Sequence, residues 1–577
     1  MKKIPTDVYD FVTLREENYY FFDKSGYIRE LENQKKFILL VRPRRMGKTL
    51  FSSMLMAYYD INLKDRFQEL FGDLAIGKNP TEWANKYLAL RFDFSHVDNS
   101  DIDLLEAQFN EYCKICISDF LKRYDWVYTQ EERTEILALR SIKSAIVRLV
   151  AIAHNKGHKL FLTIDEYDNF TNTVLAARGV KTHKDITHGE GFYRSFFSGL
   201  KGTFDRIFLT GVSPATYDDL TSGFNIADLV SLMPWFDQTI GVTETELKEM
   251  IEYYRNEGAL EKSSEEIISE IKPWYDNFCF SEECYGVAPT IYNTQMVVRY
   301  MHSLVNRGRA PQPLIDVSAR VDPQKLHFLV MSEDLGDRKE QISIIKEICT
   351  QGYTLGNVEI AFQAGEAGEE KNFKSLLYYY GTLTFGPLDE YGRRMLIVPN
   401  MTMRDLYLRY MLRVIEEEGF VLNGQLRVLN KLIAEAAVKG AWEPFAEELG
   451  KLCQQYSSLR NNTEPNEQAF LRGVLCQNDY YDVWPELELG EGYCDVLLVP
   501  KNVPNNPARY SYLFELKHLP ARSKSPDAKI KEACTQLRQY ISDAHLENSP
   551  LLGHTSLVPI YLIFRNHRLI AKGRLDE

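Results

Sequence analysis

A chain of 577 residues exceeds what one hydrophobic core usually holds, so we expect about two to four domains. With 45% hydrophobic and 26% charged residues, the composition excludes the disordered and fibrous classes of protein. The net charge of −13 argues against non-specific attraction of the whole chain to nucleic acid. Residues 501–577 are an exception, because they contain 12 lysines and arginines but 7 aspartates and glutamates. This basic segment could contact the phosphates of a nucleic acid.

The first residues, MKKIPTDVYDF, include two lysines but no apolar segment behind them. The longest early apolar run, FILLV, is far too short to cross a bilayer, so we expect a cytoplasmic protein with no membrane partner. The nine cysteines are scattered, and of these Cys113 and Cys116 form a C-x-x-C pair. Because the pair lies in a segment of helical periodicity with no second pair or histidine cluster, we interpret the cysteines as core thiols in a reduced compartment.

Residues 35–60 have the order of strand, loop and helix that a phosphate-binding P-loop requires. KKFILLVRP is a short apolar run typical of a buried parallel strand, and LFSSMLMAYYD has apolar side chains at helical spacing. Between them lie Gly47, Lys48 and Thr49. In a P-loop the backbone N–H groups would face the phosphates of ATP, Lys48 would reach the β and γ phosphates, and the Thr49 hydroxyl would ligate Mg²⁺. Arg42 takes the place of the motif's first glycine, so we expect a turn that differs from that of a standard P-loop.

A second motif, KLFLTIDEYDNF, ends an apolar strand in the adjacent carboxylates Asp165 and Glu166. In a P-loop enzyme the first acid holds Mg²⁺ through water, and the second polarises the attacking water. YLALRFDFS lies between the two motifs and RIFLTGVSP follows them, which predicts a parallel sheet with its ligand crevice at the carboxyl ends of the strands. This order is that of the additional-strand ATPases with a catalytic glutamate. Thr210 and Ser213 are candidates for the polar group that senses the γ phosphate.

Five stretches, in this order and spacing, resemble a bacterial AAA-ATPase-like family that carries a PD-(D/E)XK nuclease domain at its C-terminus. They are LREENYYFFDKSGYIREL, VRPRRMGKTLFSSML, LFLTIDEYDNF, FLTGVSP and PWYDNFCF. The family's loop is approximately R-P-R-R-aromatic-G-K-S/T, which implies that Arg42 is the family form and that Met46 replaces the usual aromatic residue. Three roles are open for Arg44 and Arg45: contact with the nucleotide, contact with a phosphate of a neighbouring subunit in a homo-oligomer, or contact with acidic surface.

The middle of the chain, from 291 to 455, has helical periodicity apart from a strand-like pair, GTLTFGPL and RMLIVPN, joined by DEYGR. Helices with one small hairpin predict a winged-helix-like region. No arginine-rich recognition helix stands out in the sequence, so we interpret this region as a spacer or transmission domain. The polar, turn-rich QYSSLRNNTEPN, at 455–466, is typical of a boundary.

Two apolar strands near the C-terminus carry a cluster of charge. GEGYCDVLLVP places Asp495 on the first, RYSYLFELKHL places Glu515 and Lys517 on the second, and the turn-forming KNVPNNPA between them predicts an antiparallel hairpin. Residues two apart share a face of a strand, so Glu515 and Lys517 point the same way and Asp495 can face them. The two carboxylates would hold one or two Mg²⁺ ions, which lower the pKa of a bound water, and Lys517 would orient that water or stabilise charge on a phosphate.

Flanking helices add candidates for the same site. NEQAFLRGVL offers Glu467 upstream, with Glu486 or Glu488 as alternatives. The downstream SPDAKIKEACTQLRQYISDAH offers Gln536 and Tyr540, which are four apart and hence on one face of a helix. With a final strand, SLVPIYLIFRN, the order of helix, three strands, helix and strand resembles the PD-(D/E)XK nuclease superfamily.

This second resemblance implies roles for particular residues. The residues that fall on motif positions are Asp495, Glu515, Lys517 and Gln536, with Tyr540 on a Q-x-x-x-Y extension. Tyr493 and Cys494 stand where relatives often have Gly-Arg. The missing arginine implies a weaker contact with a phosphate, while the metal ligands are kept.

Taken together, these patterns predict an α/β protein in three parts. Residues 1–290 form an AAA-ATPase-like P-loop NTPase domain, with a parallel sheet and helices on both faces. Residues 291–455 form the helical, winged-helix-like region, and residues 456–577 form a restriction-endonuclease-like αβββαβ domain of the PD-(D/E)XK kind.

We predict that the chain binds and hydrolyses ATP, and that its nucleotide state gates a Mg²⁺-dependent nuclease with DNA, ahead of RNA, as its partner. The alternative is a nucleotide-controlled scaffold or signalling switch, whose C-terminal domain binds nucleic acid or another partner without cleaving it. A third hypothesis is a nuclease with ATP as a structural ligand only. The intact Glu515 and Lys517 favour the enzyme, because buried like-charged ligands repel each other without a metal.

Overall fold

The chain divides into two compact units. One comprises Met1–Gln341 and Leu355–Asn400, and the other comprises Ile342–Thr354 and Met401–Glu577. The segment 291–455, expected as one region, is shared between these units, and the predicted domain boundaries stay a prediction. The computed structural model describes residues 1–98, 101, 104–214, 227–311, 314, 337–417, 423–458, 464–476, 478–489, 492–501, 506–519, 525–542 and 552–575.

A five-stranded parallel sheet forms the centre of the first unit. Its strands are β1 Phe37–Val41, β2 Tyr87–Asp93, β3 Lys159–Asp165, β4 Arg206–Gly211 and β5 Asp228–Leu229. The spatial order is β2-β3-β4-β1-β5, and every neighbouring pair is parallel. FILLV is apolar throughout, and every residue of RIFLTG is buried, which suits strands covered on both faces. Because β4 lies between β1 and β3, the predicted P-loop fold is confirmed, and the loop after β1 and the acids after β3 share one edge of the sheet.

Helices precede, connect and follow these strands. They are α1 Phe11–Glu16, α2 Tyr27–Glu32, α3 Lys48–Tyr59, α4 Phe67–Phe71, α5 Ala75–Lys78, α6 Leu105–Arg123, α7 Gln130–Ala138, α8 Ile142–Asn155, α9 Asn169–Thr187, α10 Phe192–Leu200, α11 Glu244–Asn256, α12 Ser264–Tyr275 and α13 Thr294–Arg307. α3 packs against β2, β3 and β4, whereas α6 packs against β2 and α8 against β3. α7, α11 and α12 each begin with a capping box, which pairs a Ser or Thr at the cap with a Glu three residues later.

Small elements complete the first unit. The short antiparallel pair is β6 Val242–Thr243 with β7 Ile291–Tyr292. α14 Arg338–Gln351 and β8 Tyr353–Leu355 cross the boundary between the units in the chain. α15 Glu370–Tyr379 precedes the predicted hairpin, which is present as antiparallel β9 Thr384–Leu388 and β10 Arg394–Ile397. Short 3₁₀ helices lie at Ile61–Arg66, Phe94–His96, Pro234–Phe236, Glu282–Cys284 and Ala364–Glu366.

The second unit contains a mixed five-stranded sheet with helices around it. Its elements are α16 Met401–Glu417, α17 Asn423–Lys439, α18 Trp442–Ser458, α19 Glu464–Leu475, β11 Tyr481–Leu489, β12 Gly492–Pro500, β13 Tyr510–His518, α20 Asp527–Ile541, β14 Ser556–Arg565 and β15 Arg568–Arg574. The strands run in the order β11 to β15, and β13 with β14 is the one parallel pair of this described sheet. α20 packs on β13 and β14. This order confirms the predicted helix, three strands, helix and strand.

One strand of this sheet, β15, was not predicted. Asn566 and His567 have φ values of 44° and 63°, and this pair of left-handed residues makes the tight turn from β14 into β15. The sequence of β15, RLIAKGR, has no sustained apolar run, and its residues are partly buried or exposed at the edge of the sheet. Within the described residues, no helix combines the length and the apolar character needed to cross a membrane.

Candidate active sites

The loop between β1 and α3 has its left-handed residues at positions 45 and 47. Gly47, directly before α3, has a φ of 106°, and Arg45 has a φ of 63°. A Cβ built on Gly47 would meet its nearest atom at 3.7 Å, so backbone conformation and not space requires the glycine. Arg42 does not have a positive φ. The turn therefore differs from a loop that needs a glycine at position 42, as the sequence predicted.

The side chain of Arg42 is buried beneath this loop. One guanidinium nitrogen donates to the carbonyls of Ser231 at 2.7 Å and Val41 at 3.0 Å, and another donates to the carbonyl of Phe236 at 2.8 Å. The guanidinium also lies 4.3 Å from the centre of the Phe280 ring. Burial lowers the pKa of Arg42. The side chain thus anchors the loop to neighbouring backbone, and it does not line the cavity that the loop borders.

Lys48 is buried at the start of α3. Its ammonium donates to the carbonyls of Arg42 at 3.0 Å and Pro43 at 2.9 Å, so it folds back over the loop. Burial lowers the pKa of Lys48, while the charges of Glu166 and Asp165 act to raise it. The ammonium of Lys48 therefore lies close to the acids of the second motif.

A cavity of about 700 Å³ lies at the carboxyl edge of the parallel sheet. Its polar wall includes Arg44, Arg45, Gly47, Lys48, Thr49 and Glu166. Its apolar wall includes Val8, Tyr20, Phe22, Met54, Ile240 and Val298. Such a combination of a charged end and an apolar end suits a ligand with a phosphate chain and an aromatic base.

Asp165 is fully buried at the end of β3. Its Oδ1 accepts a hydrogen bond from the hydroxyl of Thr210 and another from the N–H of Glu166 at 3.1 Å. Its Oδ2 lies 3.5 Å from a guanidinium nitrogen of Arg91, on β2. Thr210 is thus directed at Asp165, and its role as a sensor of phosphate stays a prediction. The sequence analysis missed Arg91, although a single arginine in the apolar YLALRFDFS is a detectable signal.

Glu166 faces the cavity from an unusual backbone conformation, with a φ of 48°. Burial raises the pKa of its carboxyl, and the charge of Lys48 opposes this effect. Nδ2 of Asn169 donates to Oε2 of Glu166 at 2.5 Å. The sequence analysis missed Asn169 too, although it follows Glu166 by three residues in EYDN.

Ser213, the other predicted sensor, is buried just beyond β4. Its N–H donates to Asp168 at 2.9 Å, and its carbonyl accepts from the hydroxyl of Tyr167 at 2.6 Å. Ser213 is absent from the described lining of the cavity. Its predicted contact with phosphate therefore stays a prediction.

The second site lies on the antiparallel pair β12 and β13. The register places Val496 opposite Phe514, so Asp495 lies beside Glu515. Oδ2 of Asp495 accepts from the N–H of Leu516 at 2.6 Å, which holds the carboxylate against the neighbouring strand. The structure therefore brings together the two predicted metal ligands of this site.

Glu515 is 2% exposed, and its two oxygens have different surroundings. Oε1 lies 2.6 Å from the ammonium of Lys517, whereas Oε2 is buried with no hydrogen-bond partner among the described residues. Burial, reinforced by the charge of Asp495, raises the pKa of Glu515 to about 7. Burial acts to lower the pKa of Lys517, but its hydrogen bond to Glu515 and the nearby acids raise it overall.

The helix α20 contributes Gln536 and Tyr540 to the same side of the sheet. Oε1 of Gln536 is buried and has no hydrogen-bond partner within the described part of the chain. Burial raises the pKa of Tyr540, and the charges of Glu515 and Asp495 add to that effect, which indicates that its hydroxyl lies near them. The side chains of the predicted Glu467 and its alternatives Glu486 and Glu488 lie outside the described part of the structure.

Arg472, on α19, is a buried residue that the sequence analysis did not single out. Its Nη1 donates to the carbonyl of Thr350 at 3.1 Å, and its Nη2 lies 3.5 Å from the carbonyl of Asp495. Arg472 therefore supports the strand that carries the first acid. The signal available in the sequence was one arginine within the apolar FLRGVL.

The donor chemistry of the second site fits a hard divalent cation, because two adjacent carboxylates leave one buried oxygen unpartnered. Among the described residues, no group of three His, Cys, Asp or Glu side chains could hold a metal ion.

The chain is similar to a bacterial protein and to a solved structure. An uncharacterized protein in the vnfD 5′ region of Azotobacter chroococcum mcd 1 is 24% identical over 448 residues, which cover 75% of this chain and 74% of that protein. The structure of the Aeropyrum pernix Orc1 protein in complex with DNA is similar with a TM-score of 0.26 and 12% identity, over 68% of this chain and 95% of that one. The fold of the first unit is assigned from the order of its strands and not from this similarity.

Family models identify both ends of the chain. The model of the predicted AAA-ATPase family matches residues 5–221, which include the P-loop and the acidic strand. The model of the PD-(D/E)XK nuclease superfamily matches residues 462–573, which include Asp495, Glu515 and Lys517. The predicted architecture is confirmed: an AAA-ATPase-like domain is followed, towards the C-terminus, by a domain of the PD-(D/E)XK nuclease superfamily.

Proposed function

We propose that this protein hydrolyses ATP and that its nucleotide state gates a metal-dependent nuclease acting on DNA. The observation that carries the proposal is the pair of Asp495 and Glu515. A buried carboxylate oxygen without a hydrogen-bond partner in the described structure lies beside a second acid and a lysine. A metal ion is the partner that would make this arrangement favourable, since an unpaired buried charge is costly.

In the first site, Lys48 would exchange the carbonyls of Arg42 and Pro43 for phosphate oxygens of ATP. The ammonium donates hydrogen bonds in both positions and gains an ionic partner in the second. A divalent cation, held by Thr49 and Asp165, would neutralise charge on the β and γ phosphates. Glu166 faces the same cavity, and its raised pKa suits a group that takes a proton from the attacking water.

In the second site, Asp495 and Glu515 would hold one or two Mg²⁺ ions, which supply Lewis-acid activation of water and of a phosphoryl oxygen. Lys517 shares a face of β13 with Glu515, so its ammonium would stabilise negative charge that develops on the phosphate. Gln536 and Tyr540 offer an amide and a hydroxyl to the same reacting group. The side chains of this chain thus provide ligands, a cation and neutral donors.

The choice of DNA and the gating by ATP have more general support. The match to a nuclease superfamily and the basic composition of residues 501–577 favour a nucleic-acid partner. The charged residues of both sites are present in one chain, which favours coupling between nucleotide binding and cleavage. A nucleotide site without influence on the nuclease would need a function of its own. DNA rather than RNA, and Mg²⁺ rather than another cation, are parts of the proposal.

A second function is favoured by a specific observation. Lys517 already neutralises one oxygen of Glu515, and among the described residues no third His, Cys, Asp or Glu side chain completes a group that could hold a metal. A C-terminal domain that binds nucleic acid or a partner without cleaving it would tolerate both features. The protein would then be a nucleotide-controlled scaffold or switch.

Cleavage assays separate these functions. Purified protein is mixed with Mg²⁺ and labelled single-stranded DNA, double-stranded DNA or RNA, with and without ATP. We expect the wild-type protein to cleave DNA in a manner that depends on ATP. Lys517→Ala should abolish cleavage without loss of phosphate release. Lys48→Ala should remove the response of cleavage to ATP. Lys451→Ala removes a lysine that is 66% exposed in the same unit as the nuclease site and serves as the matched control.

Each failure has its own meaning. Binding of DNA with no cleavage of any substrate would favour the scaffold. Cleavage that is indifferent to ATP and to Lys48→Ala would leave the nuclease and remove the gating.

A further inference from the structure

Asn169 fixes the side chain of Glu166 in the wall of the nucleotide cavity. Its Nδ2 donates to Oε2 of Glu166 at 2.5 Å, and its backbone N–H donates to the carbonyl of Glu166 at 2.9 Å. The two residues therefore close a turn at the start of α9. Both line the cavity beside Lys48.

The backbone of this turn is held by its surroundings. Glu166 has a φ of 48°, a left-handed conformation that is unfavourable for a residue with a Cβ. The N–H of Tyr167 donates to the carbonyl of Thr210 at 2.9 Å, and the carboxylate of Asp168 accepts from the N–H of Ser213 at 2.9 Å. β4 and the residues directly after it thus hold the backbone in a conformation that aims Glu166 at the cavity, and Asn169 fixes the side chain.

We propose that Asn169 is a positioning residue for the hydrolysis of ATP. Its amide occupies Oε2 of Glu166 and so leaves Oε1 free to accept a proton from the attacking water. This inference rests on the proposed ATPase function and deepens it. Charged groups also surround Glu166, namely Lys48 on α3, Arg44 in the loop, Asp165 on β3 and Asp168 in the turn. These groups act on Glu166 through charge, whereas Asn169 sets the direction of its side chain.

The expected effect is on the rate of the chemical step. Binding of ATP depends on Lys48 and on the N–H groups of the loop, and Asn169 has no part in those contacts. A carboxylate that is free to rotate spends less time in line with the water. Asn169→Ala should therefore lower kcat by roughly 10- to 100-fold, with KM and the Kd for nucleotide unchanged.

The experiment compares single-turnover phosphate release and nucleotide binding for the full-length protein, Asn169→Ala, Glu166→Gln and the double variant. Asn169→Gln keeps an amide donor and should recover part of the rate lost in Asn169→Ala. Asn172→Ala is the matched control, because Nδ2 of Asn172 donates to Asp168 at 2.9 Å in the same turn and does not contact Glu166. Asn172→Ala should leave kcat unchanged.

The double variant decides between positioning and a structural role. If Asn169 acts through Glu166, then adding Asn169→Ala to the Glu166→Gln variant should cause no further loss of kcat. Losses that multiply in the double variant, or a loss of nucleotide affinity as large as the loss of kcat, would overturn the assignment. An absence of phosphate release from the wild-type protein would overturn the proposed hydrolysis, and the assignment with it. The wild-type reference therefore distinguishes the two failures.

Discussion

The ammonium of Lys517 lies 2.6 Å from Oε1 of Glu515, while Oε2 of the same carboxylate is buried with no hydrogen-bond partner in the described structure. One oxygen of the group is neutralised and the other is not. Because burial and the charge of Asp495 outweigh Lys517, the pKa of Glu515 rises to about 7. Without a bound metal, burial thus shifts the carboxyl of Glu515 towards its protonated form.

The first prediction concerns the pH dependence of stability in EDTA. A pKa of about 7 against the usual 4.5 means that the folded protein binds this proton more tightly than the unfolded chain does. The contribution to stability is fully present below pH 4.5 and is lost as the pH rises through about 7. The free energy of unfolding of the wild type, relative to Glu515→Gln, should therefore fall over this window. Chemical unfolding of both proteins across the window measures the difference.

Mg²⁺ should reverse this loss, because a bound cation favours the ionised carboxylate and stabilises the folded state by mass action. It should stabilise the wild type and have little effect on Glu515→Gln. Glu532→Gln is the matched control, since Glu532 lies 3.8 Å from the same lysine and is 45% exposed. It should keep most of the wild-type pH dependence above pH 4.5, because the pKa of Glu532 is lowered and its charge is the smallest of the named causes that raise the pKa of Glu515. Parallel profiles for the wild type and Glu515→Gln would contradict the raised pKa.

The second prediction is that Lys48→Met abolishes the stabilisation of the protein by ATP. A ligand at a concentration 100-fold above its Kd stabilises a folded protein by about 2.7 kcal/mol, and this increment should disappear with the ammonium that we propose to contact phosphate. Without nucleotide the variant also loses the donor to the carbonyls of Arg42 and Pro43, so the prediction concerns the increment with ATP and not the stability of the free protein. Thermal melting with and without ATP provides the measurement.

Lys122→Met is the control for this prediction, because Lys122 is a lysine of the same unit that is 72% exposed. Its response to ATP should match that of the wild type. An equal rise of the melting temperature with ATP in Lys48→Met would show that the nucleotide binds elsewhere.

Much of the fold followed from short-range patterns. The apolar runs that end at Val41 and Asp165 predicted strands of one parallel sheet, and the structure confirms it. The spacing of two between Glu515 and Lys517 predicted a shared face, and the register of β12 and β13 places Asp495 beside them. These features depend on the period of a strand and on which residues end it, and a sequence displays both directly.

The supporting residues of the sites could not be predicted in the same way. Arg91 contacts Asp165 across 74 positions in the chain, and Arg472 reaches the carbonyl of Asp495 from another element. Such contacts depend on the order of strands and the placement of helices, which short-range periodicity does not contain. Asn169 is close to Glu166 in sequence, but its hydrogen bond to Glu166 depends on the left-handed φ of Glu166. No residue type in that stretch predicts this φ.

The third prediction is that Arg42→Gly, which restores the glycine of a standard P-loop, destabilises the first unit. The change removes the donors to the carbonyls of Ser231 and Phe236, and an unsatisfied buried carbonyl costs about 1–3 kcal/mol. We therefore expect a loss of about 2–5 kcal/mol in the free energy of unfolding, measured by denaturant titration.

Arg45→Gly is the control for Arg42→Gly. Arg45 is an exposed arginine of the same loop with a φ of 63°, so glycine there relieves backbone strain and should leave stability unchanged or slightly raised. Equal stability of the two variants would show that Arg42 does not anchor the loop.

The fourth prediction concerns the hydroxyl that orients Asp165. The hydroxyl of Thr210 donates to Oδ1 of Asp165, and both residues are fully buried. Thr210→Val keeps the shape of the side chain and removes this donor, so the carboxylate loses its orientation towards a cation. By analogy with the outer partners of metal ligands, we expect the affinity for Mg²⁺ with ATP to fall by roughly 10- to 100-fold, measured by titration of Mg²⁺ at a fixed ATP concentration.

Thr163→Val is a close control, because Thr163 is also fully buried and lies on the same strand as Asp165. Its hydroxyl has no hydrogen-bond partner within the described residues, so its removal should be neutral or stabilising and should leave the Mg²⁺ titration unchanged. The two valine variants differ in what the lost hydroxyl contacts, not in the volume or polarity that is removed. If they shift the titration equally, Thr210 acts through packing of the sheet, and the orientation of Asp165 must come from Arg91 and the N–H of Glu166.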